Sequence, residues 1–396
     1  MILTHDYPPY QIGGIGAFCK DLAEALGRRG IDVLVIAGRP EKASERIRVG
    51  NENNVEILWV SRGAFPPRHF WFQVRNNSLI RSEIANCEVV HGQDFAAFPT
   101  IYFSKKRNPG LPWVVTLHSG PISELYCVLR SMNRGGSLGD IASYGAGFPA
   151  WDWALRGDIG LADALVAVSQ DVRREIQIHY SVDARRIFTI NTGVNVDELK
   201  QFAKSLISRE PDSNTKVIRL FYAGRLSWRK GILQLLRSVA YLTVKLGFSR
   251  YQLEIFGKGP LAGRVYSAIS EFHLGRNIAV RGFVTRSELL TAMAKSDIVC
   301  VPSLYEACPV SMIEAMAMGK PVVTFDRPFS RELLDGVPDS AIGAEVQDYA
   351  ALLHSLGTSE DLRRKLGARL QIQAAKKFDM KIIAEQYAGL YKRLLS

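Results

Sequence analysis

The 396-residue sequence lacks the features that mark several large classes of protein. Its five cysteines are scattered, with no pair two or three residues apart, which excludes a closely spaced zinc cluster and favours a reducing compartment. There is no run of roughly eighteen apolar residues, so we expect no membrane span. The N-terminus lacks the basic and then apolar build of a signal peptide, and we expect a cytoplasmic protein.

Two further absences narrow the ligands. No RNA- or DNA-binding motif accompanies the basic residues, and they are not interleaved with a regular aromatic series, so nucleic acid is not expected as a partner. The glycine loop Gly13-Gly-Ile-Gly16 does not continue as Gly-x-Gly-x-x-Gly, because Ala17 is followed by Phe18 and Cys19. This spacing disfavours a nicotinamide cofactor, and we expect neither a cofactor nor a metal.

The composition that remains is that of a globular protein. Apolar residues make up 47% and charged residues 22% of the chain, which is long enough for two domains. Residues 1–200 carry 22 Lys and Arg against 21 Asp and Glu, a net charge of +1, whereas residues 201–396 carry 28 against 18, a net charge of +10. The second half therefore favours a phosphate-bearing ligand, with the rest of its excess charge on solvated surface or against an anionic membrane.

The first half alternates apolar strands with helical patterns, which predicts a doubly wound parallel sheet. Its opening strand, glycine loop, helix and second strand form a βαβ unit, in which the loop is either a phosphate site or simply a tight turn. Residues 119–153 show no clean periodicity and many glycines, so we expect an irregular insertion. The aromatic stretch Phe65–Phe72 is broken by two prolines and is not expected to be helical; it packs under its own loop or faces an acceptor or a membrane.

A histidine ends one of these strands. In Val114-Val-Thr-Leu-His118, the side chain of His118 is placed at the carboxyl end of the strand, where open α/β sheets bind their ligands. A single histidine in a loop is also commonly structural, and both interpretations stay open at this point.

The polar, proline-containing stretch at residues 203–215 predicts a domain boundary. We therefore expect an N-terminal Rossmann-like domain at 1–202 and a C-terminal Rossmann-like domain at 203–378. The tail at 379–396 is amphipathic, with apolar residues such as Ile383 and Tyr387 at helical spacing.

The second domain carries the most specific pattern. Arg225 and Lys230 flank a strand-to-helix loop, so that two cations and a helix N-terminus converge on one anion, unless they are solvated surface charges. Between two buried strands stands Glu306-Ala-Cys-Pro309-Val-Ser-Met-Ile-Glu314. Pro309 argues against one continuous helix, so we expect Glu306 in a loop and Glu314 in a helix that Gly319 ends. Two carboxylates so placed would hold different parts of one elongated ligand.

Together these motifs resemble the GT-B fold glycosyltransferases of retaining family 4, the group 1 glycosyl transferases. The resemblance spans nearly the whole chain and rests on the following segments: Pro8-Pro9 with Gly13-Gly14, Thr116-Leu-His118, Ala167-Val-Ser169, Gly224-Arg225-Leu226 with Lys230-Gly231, Gly257-Lys-Gly259, and Glu306 to Glu314 continued through Gly319-Lys-Pro-Val-Val. It implies two Rossmann-like domains facing across a cleft, with the C-terminal helix crossing back to the first.

The resemblance also implies roles for individual residues of the second domain. Arg225 and Lys230 would neutralise the departing nucleotide diphosphate, and Glu306 would hold hydroxyls of the donor sugar. Glu314 would hold the ribose hydroxyls, and the loop Gly257-Lys-Gly259 would contribute to donor binding. No side chain is assigned as a covalent nucleophile.

In the first domain, the resemblance implies that Gly14 presents a backbone N–H to the phosphate and that His118 contacts the transferring sugar. The partners would be a nucleotide-sugar donor and a sugar or lipid-linked acceptor, with an anionic membrane as a further candidate. UDP-, GDP- and ADP-sugars all stay open as donors. Two other functions stay open as well: a nucleotide-sugar epimerase of the same fold, and a non-catalytic nucleotide-sugar-binding protein.

Two segments depart from the family pattern. After Glu306 the chain reads Ala-Cys308-Pro309 in place of a glycine-rich sequence, and after Phe325 it reads Asp326-Arg-Pro-Phe-Ser-Arg331-Glu332 in place of small residues. Contacts to the donor sugar are therefore expected to differ at these two places.

Overall fold

The computed structural model describes residues 1–10, 13–40, 47–50, 53–61, 68–94, 97–131, 138–207 and 217–396. In these residues the chain divides into two compact units. The first unit contains Met1–Ile122, Gly145–Val194 and Met380–Ser396, and the second contains Ser123–Tyr144 and Asn195–Asp379.

The strands of the described residues share one feature: most are short apolar runs. In chain order they are β1 (Ile2–Thr4), β2 (Val33–Arg39), β3 (Ile47–Gly50), β4 (Val55–Ser61), β5 (Val90–Gln93), β6 (Trp113–Leu117), β7 (Ala164–Ala167), β8 (Ile187–Thr189), β9 (Ile218–Ala223), β10 (Tyr251–Phe256), β11 (Ile278–Gly282), β12 (Ile298–Val301), β13 (Val322–Phe325) and β14 (Ala341–Gly343). Every residue of β6, β7, β12 and β13 is buried, as expected for parallel strands that helices cover on both faces.

Helices connect these strands. In chain order they are α1 (Gly14–Gly27), α2 (Arg68–Ile84), α3 (Thr100–Arg107), α4 (Pro121–Arg130), α5 (Leu138–Leu161), α6 (Gln170–His179), α7 (Val196–Ile207), α8 (Ile232–Val244), α9 (Ala262–Glu271), α10 (Arg286–Lys295), α11 (Val310–Ala317), α12 (Pro328–Leu333), α13 (Val346–Thr358), α14 (Glu360–Lys377) and α15 (Met380–Leu395). None of the described helices is long and apolar enough to pass through a bilayer.

Each unit is built on one sheet, and both sheets have the same winding. The first sheet has the order β3-β4-β2-β1-β5-β6-β7-β8 in the described residues, and its pairs are parallel except for the edge pair β3–β4. The second has the order β11-β10-β9-β12-β13-β14 and is parallel throughout. The strand order reverses between β1 and β5 in one sheet and between β9 and β12 in the other. The predicted doubly wound α/β fold is confirmed.

Helix α15 belongs to the first unit although it ends the chain. Its buried residues Ile383 and Tyr387 share a core cluster with Phe18 and Leu22 of α1. The chain passes into the second unit at Asn195, eight residues before the expected boundary at 203, and returns to the first at Met380. Helix α7 occupies the first part of the expected linker, and residues 208–216 lie outside the described residues.

Two sequence expectations about loops were wrong. The stretch at 119–153 contains α4 and most of α5, because a helix fixed by tertiary packing does not need an amphipathic pattern or an absence of glycine. The second half of the stretch Phe65–Phe72 is also helical, since α2 begins at Arg68 directly after the prolines, where proline is compatible with a helix start. Residues 62–67 lie outside the described residues.

Candidate active site

The loops at the reversal point of the second sheet carry the predicted cations and the first carboxylate. One loop follows β9 and includes Arg225 and Lys230, and the other follows β12 and includes Glu306. The loops touch through their backbones: Gly231 has a φ of +65°, and a Cβ there would lie 1.8 Å from the carbonyl oxygen of Pro302. Only glycine allows the two backbones to come this close. The contact lies at the reversal point of the sheet, where doubly wound sheets bind ligands.

Lys230 and Glu306 form an ion pair between these loops. The Lys230 ammonium contacts Glu306 Oε1, which also accepts a hydrogen bond from Ser303 Oγ at 2.8 Å. Burial alone would raise the pKa of Glu306, but the charges of Lys230 and Arg229 hold that pKa below its ordinary value. Glu306 is therefore ionised at neutral pH, and it lies beside a cation before any ligand binds.

The other arginines of the β9 loop are placed differently. Arg225 lies at the exposed start of the loop, where its carbonyl oxygen accepts a hydrogen bond from the Ser227 N–H at 2.8 Å. Arg229 forms an ion pair with Glu124 of α4, and its carbonyl oxygen accepts a hydrogen bond from the Leu304 N–H at 2.8 Å. Arg229 thus ties the two loops together, while Arg225 exposes its side chain to solvent.

The predicted glycines at 257 and 259 have a packing reason of their own. Gly257 has a φ of +134°, and a Cβ there would lie 1.9 Å from the carbonyl oxygen of Gly224. At Gly259 a Cβ would lie 2.4 Å from the carbonyl oxygen of Leu226, whose own N–H donates to the Lys258 carbonyl at 3.0 Å. These glycines therefore allow the backbone of the loop after β10 to pack against the backbone of the loop that carries Arg225.

Glu314 lies in α11, which follows the Glu306 loop. Pro309 is the residue before the helix, and Gly319 ends it in the left-handed region with a φ of +70°, as the sequence predicted. The N–H of Gly319 donates to Met316 and that of Lys320 to Ala315, each at 2.9 Å, which is the Schellman arrangement.

The Glu314 carboxylate has a partner that sequence reasoning missed. Arg286 Nη2, at the start of α10, lies 2.6 Å from Glu314 Oε1, whose side chain is only 3% exposed. The two side chains form an ion pair, and no further donor to Oε1 is found among the described residues. Burial raises the pKa of Glu314, and Arg286 offsets part of that rise. A buried acceptor of this kind is suited to hydroxyl donors.

In the first unit, the start of α1 lies at the carboxyl end of β1. Gly14 is the first residue of the helix, and the N–H of Gly13 donates to Asp6 Oδ2 at 3.0 Å. The N-cap residue, Gly13, makes no side-chain cap hydrogen bond among the described residues, and a helix N-terminus of this kind is suited to an anion. The anion-binding role of the glycine loop stays a prediction, and Gln11 and Ile12, which precede the loop, lie outside the described residues.

His118 follows β6 at the same edge of that sheet. Its Nε2 lies 2.7 Å from Gln93 Oε1, its backbone N–H donates to Asp94 Oδ1 at 2.6 Å, and its ring packs edge-on against Phe18 of α1. Burial lowers the pKa of His118 to about 3, so the imidazole is neutral at physiological pH. Sequence reasoning missed Gln93, the last residue of β5, and Asp94, which follows it.

The described residues contain no group of three or more His, Cys, Asp or Glu side chains that is arranged to hold a metal ion.

Two doubly wound parallel-sheet units in one chain, with a cation–carboxylate pair at the reversal point of the second, are typical of proteins of the GT-B fold class. The model of Glycosyltransferase Family 4 matches residues 12–198, and that of Glycosyl transferases group 1 matches residues 203–373. The chain belongs to this family of glycosyltransferases.

Individual relatives are distant but match over nearly the full length. The alpha-D-kanosaminyltransferase of Streptomyces kanamyceticus is 23% identical over 402 residues, which cover 95% of this chain and 98% of the relative. The sucrose-phosphate synthase of Thermosynechococcus elongatus shares the fold with a TM-score of 0.77 at 18% identity, covering 99% and 98% of the two chains. Anabaena HepE, in complex with UDP and glucose, shares it with a TM-score of 0.73 at 16% identity, covering 99% and 98%.

Proposed function

We propose that this glycosyltransferase is a retaining, metal-independent enzyme that transfers a hexosyl group from a nucleotide-diphosphate sugar to a sugar or lipid-linked acceptor. The observation that carries the proposal is the Lys230–Glu306 ion pair at the reversal point of the second sheet. It provides a cation for the diphosphate and a carboxylate for sugar hydroxyls within one site. The buried Glu314 lies in α11, the helix that follows the Glu306 loop.

Lys230 and Arg225 act on the leaving group in this proposal. As the bond between the sugar and the diphosphate breaks, negative charge grows on the phosphate oxygens, and fixed cations stabilise that charge without reorganising. Lys230 is already held in place by Glu306, and Arg225 is an exposed residue at the start of the same loop, from which its side chain would reach the phosphates.

The two carboxylates hold opposite ends of the donor. Glu306 is ionised and accepts hydrogen bonds from the sugar hydroxyls, while Glu314 accepts them from the ribose. Ribose hydroxyls would supply the hydrogen bonds that Glu314 Oε1 lacks, and the adjacent Arg286 would keep the carboxylate charged as they bind. Replacing Arg286 with Met should therefore raise the donor KM more than it lowers kcat.

Residues of the first unit complete the chemistry. The start of α1 at Gly14 offers backbone N–H groups to a phosphate. The neutral imidazole of His118 accepts or donates a hydrogen bond at the transferring sugar without adding a second positive charge. No side chain is assigned as a nucleophile.

The first test is mutational. We expect Arg225→Ala and Glu306→Gln each to lower kcat at least about a hundredfold, as the loss of a preorganised electrostatic contact does elsewhere. Arg237→Ala is the matched control, because Arg237 is an exposed arginine of the following helix, α8, outside the loops. Normal transfer by both the Arg225 and the Glu306 variants would refute the proposal.

The donor is identified by thermal shift with UDP-, GDP- and ADP-sugars, since a ligand that binds the folded state raises the apparent stability. UDP-sugars are the first choice, because Anabaena HepE was crystallised with UDP and glucose. Analysis of the anomeric configuration of the product by NMR tests retention, and an assay with EDTA tests metal independence.

The two other functions predict different outcomes. An epimerase converts the nucleotide sugar with no acceptor present, so product analysis with donor alone identifies it. A non-catalytic binding protein shows donor affinity in calorimetry and no turnover with any acceptor. The ionised Glu306 beside Lys230 favours the transferase.

We also propose a cytoplasmic location with peripheral contact at an anionic membrane surface. The observation that favours it is helix α3, in which Tyr102 and Phe103 are each 39% exposed and are followed by Lys106 and Arg107. Aromatic rings next to cations suit the headgroup layer. Co-sedimentation with anionic vesicles at low salt tests it, with Tyr102→Ser as the variant expected to bind less and neutral vesicles as the control.

A further inference from the structure

A chain of hydrogen bonds runs through the first unit from helix α15 to His118. The hydroxyl of Tyr391 lies 2.7 Å from His91 Nδ1, and His91 Nε2 lies 3.1 Å from Gln93 Nε2. The other end of the Gln93 amide, Oε1, lies 2.7 Å from His118 Nε2. His91 and Gln93 are each 1% exposed, so these polar atoms must satisfy one another.

A branch of the same network reaches His91 from the side. His91 Nε2 lies 2.7 Å from the hydroxyl of Thr116, which in turn lies 3.0 Å from the hydroxyl of Tyr387. The amide nitrogen of Gln93 can only donate, so His91 Nε2 accepts from it and also from the Thr116 hydroxyl. Thr116 has then used its only proton, and it accepts from the hydroxyl of Tyr387.

Counting protons fixes the rest of the chain. Burial lowers the pKa of both His91 and His118 to about 3, so each ring carries one proton. Because His91 Nε2 accepts, its proton lies on Nδ1 and is donated to the Tyr391 oxygen. Because the Gln93 amide donates its N–H to His91, its oxygen accepts from His118, and the His118 proton must lie on Nε2. The Gln93 amide therefore couples the two rings: they hold their protons on opposite nitrogens.

This coupling leaves one atom of His118 unused. Nδ1 carries a lone pair, and no described residue donates a hydrogen bond to it. Asp94 fixes the backbone of His118, and Phe18 packs against its imidazole ring. A flip of the ring would break the hydrogen bond between His118 Nε2 and Gln93 Oε1.

We propose that Tyr391, His91 and Gln93 are positioning residues that keep the proton of His118 on Nε2 and present its Nδ1 as an acceptor for a hydroxyl group of the bound sugar. The inference deepens the proposed function, on which the sugar ligand rests. It also gives the C-terminal helix a role in the reaction, because Tyr391 of α15 is the end of the hydrogen-bond chain that sets the tautomer of His118.

The tautomer is measured directly by long-range ¹⁵N–¹H NMR of the full-length protein labelled at its seven histidines, with His118→Gln to assign the signals. In the wild type we expect His118 to carry its proton on Nε2 and His91 on Nδ1. Tyr391→Phe removes the acceptor for the His91 proton, and we expect both rings to become tautomer mixtures. Tyr180→Phe is the matched control, since it removes a tyrosine hydroxyl bonded to Asp152 in the same unit but outside the network.

Kinetics tests the consequence for transfer. We expect Tyr391→Phe to lower kcat about tenfold with little change in the donor KM, as second-sphere partners of a functional histidine do, and Tyr180→Phe to change neither. Gln93→Glu places a carboxylate beside the imidazole rings of His91 and His118. Its negative charge favours the imidazolium form and raises the pKa of His118. Its kcat should therefore fall toward acid pH through a limb that the wild type lacks.

The two arms fail separately. If Tyr391→Phe and Gln93→Glu leave the His118 tautomer and the pH profile as in the wild type, the positioning role is refuted, whatever the activity. If the variants change the His118 tautomer but the wild-type protein transfers no sugar from any donor, the proposed function is refuted and the positioning of His118 by the hydrogen-bond chain is supported.

Discussion

Removing the positive charge of Lys230 should destabilise the second unit more than removing both charges of its ion pair. The side chains of Lys230 and Glu306 are 24% and 12% exposed, so Lys230→Met leaves a carboxylate with little access to water. Removing one partner of a buried pair costs about 3–5 kcal/mol, and because this pair is partly exposed we expect a loss of about 2–3 kcal/mol. The Ser303 hydroxyl stays bonded to Glu306 and limits the loss.

The double variant Lys230→Met/Glu306→Gln should recover most of this free energy of unfolding, because the glutamine has no charge to strand and still accepts the Ser303 bond. Urea denaturation of the wild type, the two single variants and the double variant gives the coupling energy, which we expect to be about 1.5–3 kcal/mol. Single-variant losses that add to within about 0.5 kcal/mol in the double variant would refute a stabilising pair.

The same variants separate stability from catalysis. Glu306→Gln and the double variant should both remain folded and both lose sugar transfer, because each lacks a group that the donor needs. In the wild type, the lowered pKa of Glu306 contributes stability above the ordinary pKa of 4.5 that is lost as the pH falls through the lower value of the folded protein. In Lys230→Met the pKa of Glu306 should move upward, so this acid-side loss should shrink.

Three further predictions concern burial, glycine geometry and metal. Burial raises the pKa of Asp158 far above 3.8, and neither carboxylate oxygen has a hydrogen-bond partner in the described residues. The free energy of unfolding of Asp158→Asn, measured by urea titration, should therefore rise relative to the wild type by up to about 1.4 kcal/mol per pH unit between pH 5 and 7. Parallel plots of the two free energies against pH would contradict this. Gly257→Ala should lower the free energy of unfolding by about 3 kcal/mol or more through its clash with Gly224, while Gly263→Ala, in open space within α9, should be neutral or stabilising. Dialysis against EDTA should leave the transfer rate unchanged, and a loss restored by added Mg²⁺ or Mn²⁺ would show that a metal takes part.

The alternation of short apolar strands with helices was enough to predict both doubly wound units. The helix around Glu314 was predictable as well, since Pro309 and Gly319 are local signals that act within a few residues of where they stand. Helix α5 was not predictable in this way. It contains Pro149 and several glycines, and its helical form follows from packing against other elements: Gly157, for example, lies so close to Phe98 that a Cβ would approach the ring to 2.5 Å.

The site was predictable residue by residue but not pair by pair. The sequence indicated Lys230 as a phosphate cation and Glu306 as a sugar ligand without indicating that they touch, because 76 residues separate them. Arg286 was missed for the same reason: its sequence neighbours indicate a helix start, and only the fold brings it to Glu314.

What joins these residues is the order of strands in each sheet. Strands β9 and β12 are neighbours although two strands intervene in the chain, so the loops after them share an edge and Lys230 meets Glu306 there. In the first unit β5 and β6 are neighbours, and their ends bring Gln93 to His118. Both contacts therefore belong to the carboxyl edge of a parallel sheet, and both join residues that lie apart in the chain and that the strand order brings together. It follows that substitutions that weaken the pairing of β9 with β12 should impair donor binding even though they leave Lys230 and Glu306 unmutated.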